Sequence, residues 1–596
     1  MFINPANHIK FFSSEIHTHL SEWENYLNKQ MRVLISEKDL FIGRVWSISE
    51  DSGLVTIRFR KNEVPRLNTP YFLGVVGNDA EGNPKDWRFT YKEFRGPSKN
   101  YWHEKKGGEV SALNYKYSED DWAFLSVSLS DLNLYEYLRR DCLEAGVQPL
   151  VIIADNDPPL NYLFNLKEFL EANSDNRILQ SEVSLKEKNW KPKGLDNEYD
   201  ITDELLEIVD QEKITAVQGP PGTGKSYIAA KISHRFLEQD KSVAVCAPTN
   251  KALMELSGQP PLEKSLKAGK IFKTTLSKDE LVRQPTLQLV DSFTPSQGHL
   301  LLTTYYKLSD QVKELASSPK RYDLLIIEEA SQAFLATIAM FSKVAERVLI
   351  IGDHKQLPPV FVTNKKIISK IDPNIDGVIN GLETYMLNNE QQSYRFTKTR
   401  RLTKEASELT GLFYDKQLSS ISPLNGQIEH CPDVKNVFHN NGGVTIARLS
   451  IVGQNSISQT EVLNGISELA CKILDFRKKD KVALITSTVN FEKMMTSTMS
   501  KFRPDHTRLT ISTVHKAQGL TADYVIYFMP LTDANFELDL NLFNVATSRA
   551  KKGTLIVSYS HLSMLVGLSS DVKAFLTNCY DVSDSFTDWL SKCHNY

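Results

Sequence analysis

Gly219–Ser226 reads GPPGTGKS, and this stretch decides the fold of the chain around it. It fits the pattern G-x-x-x-x-G-K-[ST], in which a glycine-rich loop turns its backbone N–H groups toward phosphate oxygens. The apolar run Ile214–Val217 before it is typical of a buried strand. After it, Ile228, Ile232 and Phe236 recur at helical spacing, so the loop has the strand–loop–helix context that the motif requires. The sequence therefore predicts a loop that binds a nucleoside triphosphate.

The positions of this loop have separate expected roles. Lys225 would reach the β- and γ-phosphates, and Ser226 would ligate Mg²⁺ through its hydroxyl oxygen. The predicted nucleotide-binding residues are Gly219, Pro220, Pro221, Gly222, Thr223, Gly224, Lys225, Ser226 and Tyr227.

The composition is that of an ordinary globular protein, and 596 residues are enough for about three to four domains. The six cysteines include no C-x-x-C pair, which argues against a zinc or iron–sulfur module and favours a reducing compartment. The N-terminal stretch MFINPANHIKFF lacks a signal-peptide pattern, and no apolar run is long enough to span a bilayer. We therefore expect a cytoplasmic protein with no membrane partner. The net charge of −3 is no sign of nucleic-acid binding, but such binding needs only a local basic groove.

Residues 1–195 contain no phosphate-binding motif and form a predicted N-terminal accessory region. Within it, Arg44–Ile48 and Leu54–Arg60 flank a turn-like segment, as in a β-hairpin. Alternation along the second run makes one face apolar and the other basic. Two interpretations stay open: a small barrel, at about residues 31–100, that touches nucleic acid, or an ordinary solvated outer face. If the chain has a protein partner, we expect that partner to dock on this region.

Helical patterns follow at Leu132–Leu143 and Leu160–Leu170, and the lysine-rich stretch Ser181–Asp200 is typical of a linker. The tail from about His561 is predicted to form closing helices, with Leu562, Met564, Leu565 and Trp589 among their apolar residues.

From about residue 200 the pattern changes to short apolar runs separated by helical segments, as in parallel strands buried on both faces. The first series is Val243–Cys246, Leu300–Thr303, Leu324–Ile327 and Val348–Ile351. The second series is Val482–Thr486, Leu509–Thr513, Tyr524–Phe528 and Thr554–Val557. We therefore predict two α/β sheets in tandem, in domains at residues 196–375 and 376–596.

Two polar turns follow strands of the first series. Glu328 and Glu329 come directly after an apolar strand, about a hundred residues beyond the loop, where ligands of such sheets bind. We assign Glu328 to the metal and Glu329 to the attacking water. Gln356, in the turn of VLIIGDHKQLPP, could sense the γ-phosphate because its amide both donates and accepts.

These segments, in this order, resemble superfamily 1 helicases, particularly the 5′-to-3′ branch with the nonsense-mediated-decay RNA helicase and the immunoglobulin-mu-binding helicase. The resemblance covers about residues 214–560. GPPGTGKS is similar to motif I, APTNKA at Ala247–Ala252 to motif Ia, LLTTYYKL at Leu301–Leu308 to motif Ib, IIEEASQA at Ile326–Ala333 to motif II, and GDHKQLPP at Gly352–Pro359 to motif III. Ser393–Arg395 with Leu412–Tyr414 is similar to motif IV and the segment behind it, TVHKAQG at Thr513–Gly519 to motif V, and NVATSRA at Asn544–Ala550 to motif VI.

The resemblance implies two RecA-like domains that hydrolyse ATP, with Mg²⁺, in the cleft between them. Arg395 and Arg549 would be arginine fingers from the second sheet, stabilising charge on the γ-phosphoryl oxygens. Since Lys225 and Glu329 lie on the first sheet, hydrolysis would require a closed cleft, and its reopening would convert turnover into stepping along a strand.

The resemblance also implies sequence-independent contacts with the backbone of single-stranded RNA or DNA. The residues expected to make them are Thr249, Asn250, Thr303, Thr304, Thr513, Gln518 and Gly519.

The chain departs from the family pattern at three places. Glu328 stands where the family usually has Asp, which keeps the charge on a side chain one methylene longer. No glutamine stands in Tyr199–Thr202, near the place of the adenine-reading glutamine, so nucleoside triphosphates other than ATP stay open as substrates. His515 and Lys516 differ from the decay helicase, so its substrate choice does not transfer.

The leading hypothesis is an ATP-driven helicase or translocase on single-stranded nucleic acid. The alternative is a nucleic-acid-binding NTPase switch or sensor that remodels or recruits partners without processive unwinding. A P-loop kinase or transport ATPase would give no reason for Arg549, TVHKAQG or a second strand series. The sequence leaves the choice between RNA and DNA open.

Overall fold

The computed structural model describes residues 3–61, 63–67, 70–76, 87–95, 107–117, 121–180, 190–426, 428–450, 457–502, 504–505, 507–531, 534–559 and 568–593. Within them the chain forms a closed six-stranded barrel, a nine-stranded sheet and a six-stranded sheet, besides a pair of two-residue strands at Lys398–Thr399 and Ser419–Ser420. The predicted α/β class, with two sheets in tandem and an N-terminal barrel, is confirmed.

The nine-stranded sheet, called here the first sheet, is parallel throughout and carries the phosphate-binding loop. Its strands in spatial order are Gln288–Leu289, Ile271–Lys273, Leu300–Thr304, Val243–Ala247, Tyr322–Ile327, Ala345–Gly352, Ile214–Gln218, Ser393–Phe396 and Lys193–Leu195. Its central strands are apolar runs because helices cover both faces, and Val245 and Ile326 have no exposed surface. All four strands of the first predicted series are confirmed.

The helices of this unit include two that come from the N-terminal region, Pro5–Asn28 and Leu160–Ala172. The carboxylate of Glu15 accepts hydrogen bonds from the backbone N–H groups of Val362 (2.7 Å) and Thr363 (3.0 Å), which ties the first helix to the unit. Part of the predicted accessory region is therefore built into the first sheet's core. The remaining helices of the unit are Thr202–Gln211, Lys225–Glu238, Asn250–Ser257, Glu263–Lys267, Lys278–Arg283, Tyr305–Ser309, Val312–Ser317, Leu335–Phe341, Lys365–Ile371, Asp376–Ile379 and Gly381–Asn388.

The barrel is antiparallel and closes on itself. Its strands in spatial order are Leu40–Ser49, Leu54–Arg60, Trp122–Leu129, Gly107–Tyr117, Pro70–Val76 and Leu150–Asp155. The predicted hairpin is confirmed by the pairing of Val45 with Ile57, and the barrel reaches Asp155 instead of ending near residue 100. Short helices lie beside it at Met31–Glu37, Tyr91–Arg95 and Leu132–Glu136, the last continuing as a π-helix at Tyr137–Leu143.

The six-stranded sheet, called here the second sheet, is also parallel. Its strands in spatial order are Leu509–Thr513, Val482–Thr486, Ala522–Met529, Ala550–Tyr559, Val444–Leu449 and Tyr580–Asp581, which confirms the second predicted series. Its helices are Lys404–Thr410, Gln459–Phe476, Val489–Met499, Ala534–Glu537, Leu540–Thr547, Ser570–Asn578 and Ser583–Cys593. The last helix packs on this sheet through buried Trp589, whose Nε1 donates to the Gly465 carbonyl (3.0 Å). His561, Leu562, Met564 and Leu565 lie outside the described residues.

Sheet membership corrects one expectation about a site residue. Ser393–Phe396 pairs with Ile214–Gln218, so Arg395 lies on the first sheet and not on the second. The strand covers what would otherwise be an exposed edge with unpaired N–H and C=O groups. The first sheet thus continues past the predicted boundary at residue 375, and Lys193–Leu195, in the predicted linker, forms its outermost strand. No helix among the described residues is long and apolar enough to cross a membrane.

Candidate functional site

The phosphate-binding loop lies at the carboxyl edge of the first sheet. Its start is held by the Gly219 N–H, which donates to the carbonyl of Gly352 on the next strand (2.8 Å). Gly222 and Gly224 have φ of +75° and +89°, where a side chain would be strained. A Cβ on Gly222 would also lie 2.3 Å from the Cβ of Arg401. The loop therefore requires glycine at these positions, and it leads into the N-terminus of helix Lys225–Glu238, which favours bound anions.

The predicted metal ligands are close together. Ser226 Oγ donates to Glu328 Oε1 (2.8 Å), and Glu328 Oε2 is buried with no hydrogen-bond partner among the described residues. Burial raises the pKa of Glu328, the negative charge of Glu329 adds to this, and Ser226 and Lys225 oppose it. A carboxylate with an unpaired oxygen beside a hydroxyl is an oxygen donor set that suits Mg²⁺, so these residues fit the ion.

Glu329 begins the turn after the strand and has a left-handed backbone, with φ of +51°. Its Oε2 is buried with no hydrogen-bond partner in the described part of the chain. Its negative charge acts on Arg401 and Arg549. An unpaired carboxylate oxygen is able to accept a hydrogen bond from a water molecule and orient it.

Arg549 enters this site from the second sheet. Its Nη2 donates to Gln356 Oε1 (2.9 Å), and Gln356 Nε2 donates to Asp353 Oδ2 (3.0 Å). Both Arg549 and Gln356 are buried, and burial lowers the pKa of Arg549 while Glu329 opposes the shift. The structure therefore brings together the two residues that were predicted separately as γ-phosphate sensor and arginine finger.

Arg395 reaches the same network from within the first sheet. Its Nε donates to Gln218 Oε1 (2.7 Å), and Gln218 Nε2 donates to Asp353 Oδ1 (3.1 Å). Its Nη1 forms an ion pair with Asp415 (2.7 Å) and donates to the Tyr414 carbonyl (3.0 Å). In this conformation the Arg395 guanidinium is engaged by the side chains of Gln218 and Asp415 and by the Tyr414 carbonyl.

Sequence reasoning missed several members of this cluster. Asp353 accepts from the hydroxyl of Tyr414 (2.6 Å), which in turn accepts from Asn544 Nδ2 (2.7 Å), so residues of motifs III and VI are joined across the cleft. Asn544 and Tyr414 lie inside segments that resemble family motifs, and this was the signal in the sequence that could have identified them. No such signal marked Arg401, which is half-buried between the loop and Ser548. Its burial, together with the charge of Arg549, lowers its pKa to about 10.

The predicted nucleic-acid contacts on the first sheet follow two adjacent strands. Thr249 is exposed and caps helix Asn250–Ser257, while Asn250 Oδ1 is buried with no hydrogen-bond partner among the described residues. Thr304 is buried, and Thr303 is fully buried and accepts a hydrogen bond from Thr274 (3.1 Å). Thr303 therefore has no exposed atom to offer in this conformation.

The second sheet places its predicted contacts at the matching edge. Thr513 ends a strand and is buried. Gln518 Nε2 donates to Ser331 Oγ of the first sheet unit (3.4 Å). Gly519 has a φ of +77°, and a Cβ built on it would meet no atom within 4 Å. Lys516 contacts the barrel: its Nζ donates to the Leu67 carbonyl (3.1 Å).

The strand Val482–Thr486, which pairs with the strand that ends at Thr513, has at its carboxyl end two hydroxyl groups that the sequence reasoning missed. Thr486 Oγ1 and Ser487 Oγ are both buried with no hydrogen-bond partner in the described ranges.

Two family models match the chain. An AAA domain matches residues 203–362, and a UvrD-like helicase C-terminal domain matches residues 508–557. The first contains the phosphate-binding loop and both polar turns, and the second contains motif VI with Arg549. The resemblance to superfamily 1 helicases is confirmed.

Curated relatives agree with these helicase domains. The chain is 24% identical over 420 residues to the DNA replication ATP-dependent helicase/nuclease JHS1 of Arabidopsis thaliana, covering 64% of this chain and 30% of that protein. It is 24% identical over 413 residues to the regulator of nonsense transcripts 1 of Caenorhabditis elegans, covering 58% and 36%. The chain thus spans about a third of the length of these relatives. Among solved structures, an arterivirus nonstructural protein 10 (helicase) is 14% identical over 61% of this chain and 64% of its own, with a TM-score of 0.33.

Proposed function

We propose that the chain is an ATP-driven motor that moves 5′ to 3′ along single-stranded nucleic acid and hydrolyses the nucleotide between its two sheets. The observation that carries the proposal is the position of Arg549. It comes from the second sheet and contacts Gln356 of the first, beside Glu329 and the phosphate-binding loop. An arginine contributed across a domain interface couples hydrolysis to the relative position of the domains.

The residues divide the chemistry as follows. Lys225 Nζ, which now donates to the Gly219 carbonyl (2.8 Å), would turn to the β- and γ-phosphates. Ser226 and Glu328 would hold Mg²⁺, which when bound neutralises charge on these phosphates. Glu329 would orient the attacking water and accept its proton, and Arg549 would stabilise charge on the transferred group.

The test is steady-state ATP hydrolysis, measured alone and with single-stranded RNA or DNA, with Lys225→Ala as the inactive reference. We expect one polymer to stimulate hydrolysis about tenfold or more and the variant to abolish it. Hydrolysis that depends on Lys225 but ignores both polymers would contradict the motor. Strand displacement on substrates with a 5′ or a 3′ overhang then separates a helicase from an NTPase switch, which would hydrolyse without displacing either.

The nucleotide base is expected to be read weakly. A cavity of about 630 Å³ opens beside the loop and is lined by Asp200, Tyr227 and Lys231, among others. Tyr227 is 43% exposed, and the Asp200 carboxylate is already engaged by Lys231 and Thr202, which lowers its pKa to about 2. No glutamine or asparagine side chain of the described residues lines the cavity. A ring can stack on any base, whereas discrimination requires hydrogen bonds to the base edge.

We therefore predict that kcat/KM for GTP, CTP and UTP lies within about tenfold of that for ATP. A site that read the base edge through hydrogen bonds would discriminate between bases by far larger factors. Tyr227→Ala should raise KM for all four nucleotides by similar factors. Tyr580→Ala, which removes an exposed tyrosine on the second sheet, serves as the control. A hundredfold preference for ATP would show that a base-reading group exists.

A further inference from the structure

The guanidinium of Arg395 is engaged by four protein groups. Its side chain is buried, and Nε donates to the amide oxygen of Gln218. Its Nη1 donates to the Tyr414 carbonyl (3.0 Å), to a carboxylate oxygen of Asp415 (2.7 Å) and to Oε1 of Gln417 (3.2 Å). A guanidinium bonded in this way would give up several charge-assisted hydrogen bonds in turning toward a phosphate. Its position therefore suits a group that holds other protein groups in place.

Two glutamine amides, called here the amide chain, connect Arg395 with Arg549. Gln218 lies between Arg395 and Asp353, and its Nε2 donates to Asp353 Oδ1 (3.1 Å). Gln356 lies between Asp353 and Arg549, and it donates to the first and accepts from the second. Because an arginine can only donate and an ionised carboxylate can only accept, each amide between them has one permitted orientation. The oxygen of Gln356 therefore stays directed toward Arg549.

The acceptor shared by both amides is a buried charge. Asp353 has no exposed surface. In the described part of the chain its carboxylate accepts from neutral donors, which are the side chains of Gln218, Gln356 and Tyr414 and the backbone N–H of Lys355. A buried charge is costly unless opposite charge lies near it, and the two arginines supply that charge, each one amide away. Without Arg395, the amide of Gln218 is free to turn over and Asp353 loses positive charge on that side.

Arg395 also holds the segment on which motif VI docks. Tyr414 is fully buried in the core of the second sheet unit. Its carbonyl accepts from Arg395, and its hydroxyl donates to the carboxylate that both amides share. Asn544 donates to the same hydroxyl from helix Leu540–Thr547, which leads directly to Arg549. Tyr414 is thus tied at both ends to groups of the first sheet, and it sets where this helix lies.

We propose that Arg395 is a positioning residue for ATP hydrolysis, which holds Gln356 and Arg549 in the relative orientation that meets the γ-phosphate and does not itself contact the nucleotide. The inference rests on the proposed function, and it replaces the arginine-finger role that the resemblance implied for Arg395. The guanidinium acts through the amide chain and through Tyr414. Its loss therefore lowers the rate of the chemical step, while ATP binding, which depends on the phosphate-binding loop, is preserved.

The test compares single and double variants in steady-state ATP hydrolysis with saturating single-stranded polymer. Arg395→Met should lower kcat by about 10-fold to 100-fold, the scale on which a misplaced catalytic group loses rate, and should leave KM for ATP within about threefold. Gln356→Ala is then added to it. If Arg395 acts through Gln356, the double variant should lose no more than about threefold beyond Gln356→Ala alone, because residues that act as one unit are non-additive.

Arg508→Met is the matched control. Arg508 forms an ion pair with Asp505 (2.6 Å) and donates to three backbone carbonyls, which are those of Leu474, Arg477 and Asp480. It precedes strand Leu509–Thr513, at the end of the second sheet opposite to the cleft. Its loss should therefore lower thermal stability as the loss of Arg395 does and leave kcat within about twofold.

Gln218→Met is the second variant, and it keeps the proposal testable if Arg395→Met does not fold. It breaks the amide chain while Arg395 stays tied to Tyr414 and Asp415. We expect kcat to fall about tenfold, with KM for ATP within about threefold, and we expect no further multiplication of the loss by Gln356→Ala.

Two results overturn the proposal. One is a kcat within about twofold of the parent for Gln218→Met and for a folded Arg395→Met. The other is a double variant whose loss equals the product of the single losses, since Arg395 would then act on the nucleotide independently of Gln356. Both results leave polymer stimulation of the unaltered chain intact. Absence of that stimulation contradicts the proposed function instead, and the same variants are then compared on the unstimulated rate.

Discussion

Arg549→Ala is expected to lower nucleic-acid-stimulated ATP hydrolysis by about 10³-fold, the scale on which an arginine finger contributes to phosphoryl transfer. The guanidinium is buried, donates a hydrogen bond to Gln356 and interacts with the negative charge of Glu329 across the cleft. Nucleotide binding, measured with a fluorescent ATP analogue, should change far less than the rate. Arg549→Lys should recover only a small part of the activity because a point charge lacks the planar fork.

Arg448→Ala is the control for Arg549. Arg448 also lies on the second sheet, but it pairs with Asp581 at an edge strand remote from the cleft, and its loss should leave turnover within about twofold. Thermal melting of both variants separates loss of chemistry from loss of fold. Turnover of Arg549→Ala within about tenfold of the parent would mean that the closed cleft uses another cation, and Arg401 or Arg395 would then be the residues to replace.

Glu329→Gln is expected to lower the rate constant for hydrolysis by about 10²- to 10⁴-fold, the usual contribution of a positioned general base. The substitution keeps the shape of the side chain and removes its capacity to accept the proton of the attacking water. Affinity for ATP should stay within a few fold, since the phosphates are proposed to be bound by Lys225 and the loop and not by Glu329. A single-turnover experiment with radiolabelled ATP measures the chemical step without interference from product release.

Glu255 provides the matched control for Glu329. Its carboxylate acts on the same two arginines, Arg401 and Arg549, and burial raises its pKa, but it lies on the helix after motif Ia and not in the motif II turn. Glu255→Gln should therefore change single-turnover hydrolysis by no more than about threefold, as removal of a neighbouring charge would. If the two variants lose activity equally, the effect is general electrostatics, and Glu329 is not the base.

Local sequence was sufficient for the parts of the site that lie within one strand–turn segment. The loop at Gly219–Ser226, the acidic turn at Glu328 and the polar turn at Gln356 were each predicted from an apolar run followed by polar residues. Because carboxyl ends of parallel strands share one edge of the sheet, three such turns had to lie near one another. The observed hydrogen bond between Ser226 and Glu328 agrees with that rule.

Parts of the site that depend on strand order were not predictable in this way. Arg395 was expected on the second sheet because the resemblance implied an arginine finger there. Its strand instead pairs with Ile214–Gln218, where it completes the sheet next to the loop's own strand. The barrel was likewise foreseen from one hairpin, but its closure needed strands up to Asp155 that have no marker in sequence beyond alternation.

By itself, the sequence predicted a phosphate-binding loop, two acidic residues beside it and two parallel sheets, because each depends on local periodicity and short spacing. The late arginine motif came from the resemblance to a known family. Only the tertiary structure decided that Arg401 packs against Gly222, that Asp353, Tyr414 and Asn544 link the motifs across the cleft, and that Trp46 and Trp122 enclose Arg58. These contacts join residues far apart in the chain. The packing of the sheets and the barrel settles which of many polar or aromatic side chains meet, since most buried polar groups must find a partner in that packing.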